Sequence, residues 1–216
     1  MRVNNNAVGS YNPKEERLNI ITHLLGLILS ILGIFFLIKK GSTINNLWAP
    51  ISFTIFGLSM ITLYLASTMY HAATNQEKRS RLKIFDHIAI YLLIAGSYTP
   101  FTLVSLENHS GWTVFFIVWG FALIGIIIKL FFTGRFKIIS TLMYVLMGWM
   151  IVFSFNNLQE TLPEQGINWL IAGGIAYTIG AILYSIKKIP FNHAIFHVFV
   201  LIGTFCHYIS IINYVQ

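Results

Sequence analysis

Seven stretches of this chain are long and apolar enough to cross a bilayer, and nothing constrains its fold more. They fall at residues 18–38, 47–72, 84–105, 112–132, 138–155, 167–186 and 192–214. A helix rising about 1.5 Å per residue needs roughly 20 such residues to cross a hydrocarbon core of about 30 Å. In lipid every backbone N–H and C=O must be satisfied internally, which a helix does within its own segment. Composition agrees, because only 10% of the residues are charged where soluble domains carry ~25%. The expected fold class is therefore an all-α membrane protein, a seven-transmembrane helix bundle. Residues 1–17 are read as a short polar N-terminal segment and residues 18–216 as a single transmembrane domain. The first apolar run exceeds the ~7–15-residue core of a cleavable signal peptide, so it is read as a span.

Charge predicts the orientation. With the N-terminus in the cytoplasm, Arg2, Lys14, Arg17, Lys78, Arg79, Arg81, Lys83, Lys129, Arg135, Lys137, Lys187 and Lys188 fall inside, with Lys129 snorkelling from its helix end. Only Lys39 and Lys40 fall outside, together with Glu107, Glu160 and Glu164. Basic residues concentrate on cytoplasmic connections, so the N-terminus is expected inside and the C-terminus outside. Topology accounts for the net charge of +7, and no nucleic-acid partner is needed. The expected location is the cell membrane, as a multi-pass protein, with membrane lipids as partners.

Cys206 is the single cysteine, which excludes an intrachain disulfide and any Cys-rich metal motif. A metal site would have to use histidine and carboxylate. Small residues at helical spacing, Ala172, Ala176 and Gly180 in one run and Gly26 and Ser30 in another, predict close helix packing. Pro100 inside the third run is expected to kink it.

Ionisable residues inside a span are costly and usually face the bundle interior or a cavity. Here they converge on one depth. Ser67 and His71 stand four apart in the last turns of the second run, and Asp86 and His87 in the first turn of the third. His193 and His197 open the seventh run, and Glu16, Asn19 and His23 stand at the start of the first. All lie within roughly 10 Å of the expected cytoplasmic boundary.

His193 and His197, at i and i+4, can grip one metal ion from a single helix, as the two histidines of H-E-x-x-H do. Ala194 stands where that motif has its glutamate. His71 would complete three neutral nitrogen ligands and leave a fourth position open, as catalytic zinc requires. Asp86 would then hold or deprotonate a water there; alternatively it is a helix N-terminal carboxylate favoured by the macrodipole. Ser67 would be a further hydrogen-bond partner, or a serine that bonds its own helix backbone. His87 points about 100° away from Asp86 and is expected to face a neighbour or the headgroups. His207 is read as a hydrogen-bonded packing residue, roughly 15 Å beyond His197, and His109 as a loop residue.

These residues carry a resemblance. Glu16, Asn19, Thr22 and His23 as ExxNxxTH, Ser67 and His71 as SxxxH, Asp86 within FDH, and His193 and His197 as HxxxH resemble the hemolysin III family, the bacterial branch of the progestin and adipoQ receptor (PAQR) superfamily. The resemblance covers essentially the whole chain. It implies seven helices and a Zn2+ ion near the cytoplasmic face, bound at His71, His193 and His197. Asp86 would be associated with a zinc-held water and Ser67 with the same cavity. It also implies similarity to alkaline ceramidases, membrane amidases with a comparable Ser, Asp and three-His set. Three functions follow as expectations: a zinc-dependent hydrolase of a lipid-like amide or ester in membrane homeostasis; a membrane sensor or homeostasis protein with structural zinc; and a pore-forming cytolysin.

Overall fold

The computed structural model describes residues 12–132 and 137–216; Arg2 and Arg135, counted above among the inside charges, lie outside them. The described residues form helices and turns with no strand. Helix α1 spans Pro13–Gly41, α2 Ala49–Ala72, α3 Gln76–Pro100 and α4 Gly111–Phe132. Then come α5 at Lys137–Gly148, α6 at Phe155–Thr161, α7 at Glu164–Ser185 and α8 at Asn192–Tyr214. Among the described residues seven helices, with α5 and α6 joined into one, are long and apolar enough to cross a membrane. The bundle is that of a multi-pass integral membrane protein.

Two helices begin well before their apolar runs. Asn12 caps α1 by accepting the Lys14 N–H at 2.9 Å, with Pro13 following and Glu15 and Glu16 in the first turn. Cap, proline and acidic first turn are what an N-terminus favours. Asn75 does the same for α3, accepting the Lys78 N–H at 3.0 Å. Hydropathy marks where a helix enters lipid, whereas caps mark where the helix starts. Glu15, Glu16 and Arg79 are consequently helical residues at the bundle's rim.

Helix α3 is the central one. In its span, 78% of the apolar window is buried, against 28% for α1 and for α4. The peripheral helices turn Phe35, Phe36, Phe121 and Phe131 outward, as a lipid solvent permits. Pro100 does more than kink α3. It ends the α-helix, and Phe101–Ser105 continues as a π-helical turn closed by Leu106 N–H donating to the Phe101 carbonyl at 2.9 Å. A missing N–H at the proline lets the chain widen by one residue.

The fifth span, expected at 138–155, runs on to Thr161 and is broken. After Gly148 the chain passes through a 3-10 segment at Met150–Ser154 before α6 resumes. Tyr98 holds the break: its hydroxyl donates to the Gly148 carbonyl at 2.7 Å and accepts the Ile151 N–H at 3.0 Å.

Close packing of α7 on α8 uses Gly173, Ala176 and Gly180 as its buried small residues; Ala172, assigned above to this face, is exposed. Gly26 serves α1 in the same way, since a Cβ there would stand 2.6 Å from the Tyr64 ring of α2. Lys129 does not snorkel outward. It is 3% exposed and is held among the packed helices.

Candidate metal centre

Short connections make successive spans alternate in direction, so the start of α1, the end of α2 and the starts of α3 and α8 share one end of the bundle. His71 lies in the last turn of α2, and His193 and His197 in the first two turns of α8. Helix α8 has no side-chain cap of its own. Its entry residue Phe191 adopts a left-handed conformation, φ 56°, which a bulky L-residue keeps only when its surroundings hold it. The missing cap comes from α1: Glu15 Oε1 accepts the His193 backbone N–H at 3.1 Å. Asn192 closes the turn from α7 by donating to the Tyr184 carbonyl at 2.8 Å.

The three imidazoles converge. His71 Nε2 and His193 Nε2 are 3.1 Å apart, and ring centroids are 5.0 Å apart for His71 and His193, 5.1 Å for His71 and His197, and 4.5 Å for His193 and His197. One ligand nitrogen from each lies within 4.8 Å of the other two, and all three residues are buried. Tetrahedral ligation with metal–nitrogen bonds of about 2.0–2.1 Å puts ligand nitrogens about 3.3 Å apart, close to the 3.1 Å between His71 and His193. The three histidines lie close enough together to hold a metal ion.

A layer of α1 and α3 residues orients it. His71 Nδ1 donates to Glu16 Oε2 at 2.6 Å, which makes Nδ1 the protonated nitrogen and turns the Nε2 lone pair inward, the arrangement typical of metal-ligating histidine. Asn19 Nδ2 stands 3.3 Å from the same Nδ1. Arg79 of α3 pairs with the other oxygen of Glu16 and lies over the Tyr70 ring. Thr22 Oγ1 reaches 3.5 Å from His197 Nδ1. The His23 ring stacks on His197, centroids 3.5 Å apart and planes at 10°, with Tyr64 edge-on to it on α2.

Glu16, Asn19, Thr22 and His23 had a signal in their spacing on one helix face, although their roles did not follow from it. Glu15 and Arg79 carried no such signal. Their parts depend on how α1 meets α8 and how α3 meets α1.

Asp86 and Ser67 are both buried, and Asp86 is close enough for Ser67 and His71 to bear on its carboxylate. Most buried hydroxyls in these helices turn back to their own backbone, as Ser30 does to Gly26 and Ser59 to Phe56. Ser67 does not; its Oγ closes no hydrogen bond of ordinary geometry among the described residues. His87 is half-buried, and its backbone carbonyl accepts from the Tyr144 hydroxyl at 3.1 Å. His207 is buried as expected, but neither ring nitrogen has a hydrogen-bond partner among the described residues. His109 sits in the connection before α4, and Cys206 is buried and free.

A family model described as Haemolysin-III related matches residues 11–208. The chain is 46% identical over 204 residues to the Hemolysin-3 homolog of Bacillus subtilis (strain 168), covering 94% of this chain and 96% of that protein. It is also 46% identical over 202 residues to Hemolysin-3 of Bacillus cereus, covering 94% and 92%. Human monocyte to macrophage differentiation factor is 29% identical over 225 residues, covering 96% and 88%. The matched region runs from just before α1 into the second half of α8 and so takes in every residue of the histidine cluster, and on that ground the chain belongs to the haemolysin-III related family.

Proposed function

We propose that this protein is a zinc-dependent hydrolase working inside the membrane on a lipid-like amide or ester, in the service of membrane homeostasis. The observation that carries the reading is the convergence of three buried imidazoles with a buried carboxylate and a hydroxyl that its own helix does not use. Three neutral nitrogens with a carboxylate behind one of them are a donor set that zinc accepts. His71, His193 and His197 would hold the ion, and Glu16 would fix the tautomer of His71.

Bound there, zinc would supply Lewis acidity, polarising a substrate carbonyl and rendering a water acidic. Asp86 would take the proton from the attacking water and return it to the departing amine or alcohol. The water oxygen then joins the acyl carbon as the bond to nitrogen or oxygen breaks. Ser67 would donate to the oxygen that gains charge, and no nucleophilic role is assigned to it because Asp86, the carboxylate beside it, serves as base for the water.

The end of the bundle carrying this site is read as cytoplasmic. Lys14, Arg17, Lys78, Arg81, Lys187 and Lys188 flank it, whereas Lys39, Lys40, Glu107 and Glu160 flank the other end.

A structural metal is the second reading. It is favoured by the ties that fasten α1 to α2 and α8 through Glu16 and Glu15. The two are separated by metal analysis of purified protein together with mass spectrometry of lipid products from loaded vesicles. Zinc in both wild type and Asp86→Ala, with turnover by the wild type alone, supports the hydrolase. Zinc in both and turnover by neither selects the structural role.

A further inference from the structure

The break in the fifth span leaves a cavity of about 240 Å³ between α3, the 3-10 segment, α7 and α8. Tyr98, Phe101, Trp149, Ile151, Leu170 and His207 are among its walls. His207 is ten residues beyond His197, about 15 Å along α8, so this is a different place from the metal centre. No Lys, Arg, Asp or Glu lines it.

His207 is the anomaly. It is 8% exposed, it lines the cavity, and neither ring nitrogen bonds to any described residue. Leu170 lies close by, yet no hydrogen bond of ordinary geometry closes to it. The ring cannot turn away to find a partner. Gly173 packs against one side, where any Cβ would collide with the ring, and Tyr177 stands edge-on at 5.3 Å. Buried polar groups without protein partners call for a ligand or ordered water.

We propose that this cavity binds a membrane-borne amphiphile with an uncharged, hydrogen-bonding head, and that His207 is the residue that grips it. A neutral imidazole offers one donor and one acceptor, which matches a hydroxyl or a carboxamide, since each of these also offers both. A charged head would be desolvated with no counter-charge and is excluded on that ground. The volume falls below the roughly 300–1,000 Å³ of sites that enclose a drug-sized molecule, so it takes the head and the first carbons. The remaining chain leaves past Val152, which lines the cavity and is also 54% exposed on the outer face of the bundle.

The proposal does not depend on the hydrolase reading, and its test does not use activity. Full-length protein is incubated with a photoreactive long-chain alcohol, with and without the unlabelled alcohol, and adducts are mapped by mass spectrometry. The expected result is saturable labelling of the Trp149–Phe155 and Leu170–Gly174 stretches. A Cβ on Gly174 makes only ordinary contact, 3.5 Å from the Trp149 ring, so Gly174→Leu fills the space and should abolish labelling. His207→Phe should weaken it about 3–10-fold. Retained metal reports that each variant is folded, and should Gly174→Leu lose its metal, His207→Phe decides alone. Labelling that does not saturate, or that persists unchanged in both folded variants, overturns the proposal. So does the matching fatty acid competing as well as the alcohol.

Discussion

Helix α8 carries histidines at two levels, and their surroundings could hardly differ more. At its start, His193 and His197 meet a ligand partner from α2, a stacked ring and a hydroxyl from α1, and a carboxylate at the backbone. At its middle, His207 meets a glycine, a tyrosine edge and a cavity with apolar walls. Residue type and helix are the same at both. Chemistry is therefore assigned by what the neighbouring helices bring, and the first level is furnished for a metal while the second is furnished for something neutral.

The sharpest way to break this contrast is metal content. His71→Ala, His193→Ala and His197→Ala should each lose nearly all bound metal in elemental analysis of purified protein, whereas His207→Ala should keep it. Equal loss in His207→Ala would erase the distinction between the levels. A smaller effect tests the layer behind the ligands. Glu16→Gln keeps the shape but removes the carboxylate from His71 Nδ1, and metal affinity should fall about 10–100-fold in chelator competition. Affinity unchanged from wild type would reduce Glu16 to a surface ion pair with Arg79.

The smallest effect concerns the frame of the cavity. Tyr98→Phe removes both hydrogen bonds across the break, leaving the Ile151 N–H and the Gly148 carbonyl without that partner. Thermal unfolding should register a loss of about 1–3 kcal/mol, with metal content unchanged. No measurable shift would mean that the break is held by packing alone.

The two levels also differ in how readable they were. Spans were legible because a hydrocarbon solvent imposes length and apolarity on any segment that crosses it, and the histidine pair because i and i+4 share a helix face. Asn75 and Asn12 began helices earlier than hydropathy indicated, because helix and membrane boundaries answer to different physics. Pro100 announced an irregularity without revealing that it would be a π turn. The break after Gly148 depends on a hydroxyl from α3, which no local pattern in the fifth span encodes. Burial of His207 could be anticipated from its apolar surroundings. Its lack of partners could not, since it depends on the register between α7 and α8.

Glu15 capping α8 at His193 has a consequence for biogenesis. The contact joins the first membrane helix to the last across 178 positions of sequence. A ribosome feeding this chain into the bilayer therefore delivers six spans before α8 can receive its cap. His71 meets Glu16 of α1 early but waits through the insertion of five later spans for His193 and His197. The three-histidine cluster is thus completed only at a closing stage of assembly, and a chain truncated before α8 would reach the membrane with most of its helices and no cluster at all.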